Sequence, residues 1–224
     1  DEKLVQSYLK EKLIAIVSAT KPTESFVESC NLKRIQFIAY NRSWDIPTLS
    51  SVACDHKNGG EMVAEYFIKN KHTKIGIIEG PKGSFVSDQR IKGFKSFFKN
   101  NKNTKLYSEK GFFTYDGGFQ ASQKILQNKG VSAIFCADDT MAFGCLDYIK
   151  QNTTIKIPKD LELIGYDDIS MSHWKSYDLT TVRQPIRQMS KLVTQLVDDY
   201  IKDPDYESVK HIVQGSLIKR KTTR

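Results

Sequence analysis

The sequence has 224 residues, 39% of them hydrophobic and 27% charged, with a formal net charge of +8. That balance supports a globular core and excludes wholesale disorder. The longest aliphatic run, Leu13-Ile14-Ala15-Ile16-Val17, falls far short of the roughly 20 apolar residues that cross a bilayer.

Short β-type runs alternate with segments of helical period, the pattern of parallel α/β layers. A helical stripe of Leu4, Val5, Tyr8 and Leu9 comes first, then a strand over 13–18, a helix over 22–32 and a strand over 35–40. The strand 51–54 leads through Asn58-Gly59-Gly60 into a helix carrying Met62, Val63, Tyr66 and Phe67, with Asn58 as its expected cap. Strand 74–79 ends at the breaker pair Gly80-Pro81, and Asp88 is expected to start the helix of Phe94, Phe97 and Phe98. A weaker strand spans 106–113, a helix 117–126, a strand 132–137 and a helix 139–150. Strand 161–166 runs into Asp167-Asp168. After 179–182 a long helix begins at Pro185, a residue suited to the first helical position, and the last strands lie near 211–213 and 217–218.

In parallel α/β sheets, ligands bind beyond the carboxyl ends of the strands. The polar residues there are Ser18 and Thr20, Asn41 and Arg42, Asp55, Ser84 through Arg90, Asp138 and Asp139, and Asp167 and Asp168. They supply acceptors, hydroxyls and a guanidinium but no nucleophile–base pair, and no GxSxG elbow occurs. Neither GxxxxGK[ST] nor GxGxxG is present, so no nucleotide cofactor is expected. The Asp pairs suit strand-to-helix caps better than a metal, and His56, His72, His173 and His211 are too scattered to form one. Cys30, Cys54, Cys136 and Cys145 show no close pairing, so buried thiols and a reducing, cytoplasmic setting are expected. The Lys residues are spread along the chain. The one dense basic cluster, Lys219, Arg220, Lys221 and Arg224, reads more readily as solvated surface than as a nucleic-acid face. The residues alone point to a binding protein rather than an enzyme.

Several segments resemble the lactose/galactose-repressor (LacI/GalR) family in order and spacing. They are Asp55-His56-Lys57-Asn58-Gly59-Gly60, Ile77-Ile78-Glu79-Gly80-Pro81 with Arg90-Ile91-Lys92-Gly93-Phe94, and Ile134-Phe135-Cys136-Ala137-Asp138-Asp139-Thr140-Met141-Ala142. Pro158 through Ile169, Leu179-Thr180-Thr181-Val182-Arg183-Gln184-Pro185 and Ser216 through Thr223 complete the set. The resemblance implies a two-lobed α/β fold of the periplasmic-binding-protein type I, with parallel sheets flanked by helices and an incomplete N-terminal lobe. The implied division is 1–54 and 183–214 in the N-terminal lobe, and 55–182 and 215–224 in the C-terminal lobe.

Position by position, it implies that Arg90 grips ligand oxygens, that Asp167 accepts hydrogen bonds from the ligand, and that Asp168 is structural. Asp138 stands where the family usually has Asn, and Asn41 where it commonly has Asp, followed by a retained Arg42. An ionised carboxylate only accepts, so Asp138 suggests a guest rich in donors, as a sugar is. Phe113 is the implied aromatic platform, with strand alternation choosing between it and Phe112. Ser18, Thr20 and Ser84 complete the set of expected polar contacts. The implied function is an effector-sensing module for a sugar or sugar phosphate, less readily a purine. It would govern operator DNA through a helix-turn-helix head that this sequence does not contain. A homodimer is expected, with contacts on helix 139–150, where Phe143 faces outward, and around 172–177. No membrane partner is expected. The alternative is an extracytoplasmic sugar-binding protein of the same fold. Asp1 aligns inside the helix before 13–18, so a longer gene product, or another chain covering the exposed sheet edge, is expected.

Overall fold

The computed structural model describes residues 13–99 and 103–224, and the stripe of Leu4, Val5, Tyr8 and Leu9 lies outside them. The chain divides into two compact units. Unit 1 comprises Asp1–Cys54 and Pro185–Val213, and unit 2 comprises Asp55–Gln184 and Gln214–Arg224.

Unit 1 holds β1 (Ala15–Ser18), α1 (Glu24–Leu32), β2 (Gln36–Tyr40) and β3 (Ser50–Cys54), in chain order. Its second segment supplies a long helix, Ile186–Lys202, and a strand, Lys210–Val213. The four strands form an all-parallel sheet, the Lys210–Val213 strand lying beside β3 and β1 at the opposite edge. A sheet covered on both faces needs apolar residues at every position, and β2 shows why. Phe37 and Ala39 pack with Val27 and Cys30 of α1, while Ile38 points the other way onto Met189 and Leu196 of the long helix. Pro185 is the cap of that helix rather than its first residue, which is Ile186.

Unit 2 begins with α2 (His56–Lys69), β4 (Lys74–Glu79), α3 (Phe85–Ser96) and β5 (Lys105–Lys110). It continues with α4 (Tyr115–Ile125), β6 (Ala133–Cys136), α5 (Asp139–Asn152) and β7 (Glu162–Asp167). A 3-10 turn at Ser170–His173, then β8 (Thr180–Arg183), follow before the chain leaves for α6, the Ile186–Lys202 helix, and β9, the Lys210–Val213 strand. It returns as β10 (Ser216–Ile218). The sheet order is β10-β8-β7-β6-β4-β5, parallel except for the antiparallel β10 at its edge. Alternation again splits the faces. Phe135 stacks on Phe94 of α3, ring centroids 5.1 Å apart, whereas Gly76 lies under Ile125 of α4. The α/β class with parallel, helix-flanked sheets is as the resemblance implies.

Two helix starts differ from the sequence reading. The side chain of Asp55, not Asn58, caps α2 by accepting from the Asn58 N–H at 2.9 Å. Asn58 sits at the third helical position, where its own amide needs that acceptor. Helix α3 begins at Phe85, a turn before Asp88, because Gly83 at φ +80° ends the preceding turn. Asp88 then lies in the first turn, where a carboxylate suits the positive end of the helix.

The expected strand over 106–113 stops at Lys110, because Phe112 and Phe113 both take left-handed backbone angles, φ 58° and 59°. Strand alternation therefore does not choose between them. Phe143 is a second correction: it is 2% exposed, its ring 4.5 Å from that of Tyr177, and so is no outward dimer contact. Helix α5 is covered both by the sheet and by the segment after β7, so its apolar surface extends beyond a single stripe.

All four cysteines are buried and free, as expected. In the basic cluster near the end Lys219, Lys221 and Arg224 are exposed, as expected of a solvated surface, although three of the four residues are also paired. Arg220 reaches Asp168 and the Leu179 carbonyl, Lys221 pairs with Asp178, and Arg224 with Glu162.

Helices α2 and α3 meet backbone to backbone. A Cβ placed on Gly60 would sit 2.0 Å from the Arg90 carbonyl oxygen, and one on Gly93 2.0 Å from that of Lys57. This contact sets the depth of Arg90. Gly93→Ala is expected to cost about 1–3 kcal/mol by overpacking against rigid backbone. Thermal denaturation reads this as a Tm lowered by roughly 2–4 °C per kcal/mol; an unchanged Tm would show that the helices can part at no cost.

Candidate ligand-binding site

The carboxyl ends of β4, β6 and β7 bring together most of the residues singled out in the sequence, all within unit 2. Arg90, on the second turn of α3, is 2% exposed, and each of its three guanidinium nitrogens donates one hydrogen bond within the protein. Its Nη1 donates to the Ala137 carbonyl at 2.6 Å, its Nη2 to Asp167 Oδ1 at 2.8 Å, and its Nε to His56 Nδ1 at 3.3 Å. The guanidinium carbon lies 3.8 Å from the centroid of the Tyr166 ring. Fork geometry and a stacked aromatic face are properties of arginine that a lysine ammonium lacks.

Asp167 ends β7 with φ 117°, a region that few side-chain-bearing residues occupy. Its Oδ1 accepts from Arg90 and also from Gln184 Nε2 at 2.6 Å, and the side chain remains 25% exposed. Asp168, also left-handed at φ 56°, has turned to a different set of partners. It accepts from Arg220 Nη2 at 2.6 Å, from Arg183, and from His173 Nε2 at 3.2 Å. Burial pushes its carboxyl up, but the hydrogen bonds from Arg183 and Arg220 outweigh that and hold it below the ordinary value.

Asp138 caps α5, its Oδ1 accepting from the Met141 N–H at 2.8 Å, and is 7% exposed. Burial pushes its carboxyl up to about 6; the Met141 N–H and Arg90 oppose the rise and the Asp167 charge adds to it. Asp139 beside it is 1% exposed and serves the fold. Its Oδ1 accepts from Thr181 Oγ1 at 2.6 Å, and its Oδ2 from Ser172 Oγ at 2.7 Å and the Ile169 N–H at 3.0 Å. Burial lifts it to about 7 against the hydrogen bonds from Thr181 and Ser172.

Phe113 is half-buried and Phe112 58% exposed. The Phe113 ring lies on Gly80, where an added Cβ would come within 2.4 Å of it, so the loop after β5 turns that ring inward. Ser84 precedes α3 without a side-chain capping bond, while Ser87, 1% exposed, accepts from the Gly80 N–H at 2.9 Å and holds this loop.

Asn41 and Ser18 belong to unit 1, at the carboxyl ends of β2 and β1. Asn41 is left-handed at φ 57°, its N–H donating to the Val52 carbonyl at 2.7 Å. The Ser18 hydroxyl accepts from the Thr20 N–H at 3.0 Å, a local turn. His56, Tyr166 and Gln184 were not singled out individually. Each lies inside a segment quoted for the resemblance, which was the available signal, but their convergence on Arg90 and Asp167 is tertiary.

The cluster presents one guanidinium, two carboxylates, an amide, an imidazole and an aromatic face. Among the described residues no group of three or more His, Cys, Asp or Glu is placed to hold a metal ion. Also among them, no helix is long and apolar enough to cross a membrane.

Residues 64–223 match the profile of the periplasmic binding protein-like domain. The chain is similar to the probable HTH-type transcriptional repressor ExuR of Bacillus subtilis (strain 168), 31% identical over 94% of this chain and 64% of that protein. It is similar also to the HTH-type transcriptional repressor PurR of Vibrio vulnificus (strain CMCP6), 33% identical over 75% of this chain and 51% of the relative. The chain thus spans under two thirds of the length of these curated relatives. Among solved structures, a LacI family transcriptional regulator from Enterococcus faecalis V583 with bound ribose superposes with a TM-score of 0.87. It is 25% identical, with 99% of this chain and 81% of that one covered.

Proposed function

From a chain that belongs to the periplasmic binding protein-like domain family, as an effector-binding module of the LacI/GalR type, we propose that the Arg90–Asp167 cluster recognises a neutral, polyhydroxylated small molecule, a sugar. The observation that carries this reading is the charge arrangement around Arg90. Its guanidinium is already paired with Asp167, and the buried Asp138 lies close enough to feel both charges. An anionic guest would meet two carboxylates and one committed cation. Hydroxyl groups both donate and accept, so they can bond the carboxylate and the guanidinium without adding charge.

In this reading Arg90 donates to ligand oxygens, and Asp167 and Asp138 accept from ligand hydroxyls. The inward ring of Phe113 lies against the apolar C–H face of the guest. Ser84 contributes a further polar contact. The bound ribose of the Enterococcus faecalis regulator supports the ligand class.

In the longer protein, we infer, effector binding controls a DNA-reading head, and the working form is a homodimer. The ligand shifts the DNA-binding equilibrium only by its differential affinity for the two states.

A thermal-unfolding panel of neutral sugars, sugar phosphates, uronic acids and purine bases tests the ligand class. A matching neutral sugar at about 100 times its Kd adds roughly 2.7 kcal/mol of stability. Stabilisation by anionic sugars or purines alone would overturn the reading.

A further inference from the structure

We propose that unit 2 carries a docking surface for the phosphate backbone of duplex DNA, at the amino ends of β4, β5 and β6 and so at the end of the sheet opposite Arg90. Lysines far apart in sequence meet there. Lys74 opens β4, Lys105 opens β5, and the two are register partners on parallel strands. Their side chains therefore leave neighbouring strands, roughly 4.8 Å apart, on the same face. The Lys74 ammonium donates to the Lys129 carbonyl at 2.8 Å and lies over Gly130. The Ser132 N–H donates to the Lys74 carbonyl and the Lys105 N–H to that of Thr73, which joins the loops before β4, β5 and β6 into one surface. Lys71, Lys105 and Lys129 are exposed on it.

No acid offsets these charges. The stretches 70–74, 97–105 and 126–132 contain no Asp or Glu. Among the described residues, lysine ion pairs are made by Lys57, Lys95, Lys110, Lys124 and Lys221, all outside these stretches. Glu162, which accepts from Asn70, is fully buried and is also taken up by His72 and Arg224. Lys71 lies just past the end of α2, where a cation offsets the last carbonyls. Lys74 and Lys105 open strands and have no such role, and like charges side by side on neighbouring strands destabilise a sheet. An external polyanion removes that penalty. Among the described residues of these stretches, Phe97 is the single exposed large apolar side chain. That is too little for the apolar core of a protein partner's interface. A phosphate backbone asks chiefly for cations, and with one charge per about 1.7 Å of duplex axis it offers a phosphate to each ammonium.

Fluorescence anisotropy of this chain with a random-sequence duplex of about 20 base pairs tests the surface, the expected Kd being on the order of 10⁻⁵ M near physiological salt. The logarithm of affinity falls against that of salt with a slope of about −0.9 per phosphate engaged, so about −3.6 for four lysines. Changing Lys71, Lys74, Lys105 and Lys129 together to Gln is expected to weaken binding about tenfold or more and to remove most of that slope. Lys105→Gln with Lys129→Gln, at exposed positions whose side chains hold no hydrogen bond, carries no folding risk and removes about half of it. Taking four charges from elsewhere, by Lys82→Gln, Lys92→Gln, Lys191→Gln and Lys202→Gln, leaves the slope within about one of the parent's. No binding at about 50 mM salt, equal losses in the two quadruple variants, or equal affinity for polyglutamate or for phosphatidylserine vesicles would overturn the proposal. The sugar panel reads the opposite end of the sheet, so neither result decides the other.

Discussion

Asp139→Ala is expected to lower the unfolding free energy by about 3 kcal/mol, through three donors that lose their common acceptor at a site only 1% exposed. Those donors come from the 3-10 turn and β8, so the carboxylate ties α5 to both. Asp139→Asn behaves differently. Its carbonyl can accept from Ser172 and the Ile169 N–H while its amide donates to Thr181 Oγ1, so the bonds survive and the titration disappears. In the parent, the folded carboxyl is raised by burial to about 7 from an ordinary 3.8. Its stabilising contribution is therefore fully present below pH 3.8 and is lost as pH rises through about 7. The stability of the Asn variant relative to the parent should climb over that window, and chemical denaturation across a pH series measures the difference. Parallel curves would mean that Asp139 does not titrate with folding.

Arg90 is the second large effect. Arg90→Lys retains a positive charge but cannot serve the Ala137 carbonyl, Asp167 and His56 together, nor lie flat on Tyr166. The expected cost is about 2–3 kcal/mol of stability, with the Ala137 carbonyl left buried and unpaired. Effector affinity is expected to fall by about 100-fold, the equivalent of about 2.7 kcal/mol. Asp167→Asn is the gentler partner experiment, because Asp167 is partly exposed and the Asn carbonyl still accepts from Arg90. It should spare most of the stability while weakening the effector by roughly tenfold, the loss expected when a charged acceptor becomes neutral. Calorimetry with whichever sugar the thermal panel selects reads both variants. Parental affinity in both would remove the site from this edge of the sheet.

The strands and helices were legible because period and punctuation agree locally. Gly80-Pro81 ends β4 and Asp167-Asp168 ends β7 as the residues suggest. What was not legible is partly local geometry, the cap of α2 and the turn after β5, and partly contact with partners distant in sequence. The helix cap passed from Asn58 to Asp55, since a capping side chain must precede the amide it serves. Phe113 turned inward through a loop that strand alternation could not describe, and Phe143 is buried because α5 is covered by a segment some thirty residues later. Arg90, Asp167, Asp138, Phe113 and Ser84 could be placed at strand ends from the sequence, but the grip of His56 and Gln184 on the same pair could not. No periodicity encodes a contact between residues 34 or 17 positions apart.

The adjacent aspartates after β7 hold a division of labour. Asp168 is anchored by Arg220, Arg183 and His173, whereas Asp167 faces Arg90 and Gln184 with one side still open. Under the proposed function, anchorage and recognition are thus vested in separate carboxylates, one peptide bond apart. A lineage can exchange the recognising residue while the neighbouring one keeps the turn in shape. Preference for a new guest can then evolve by single substitutions at position 167 without first rebuilding the scaffold.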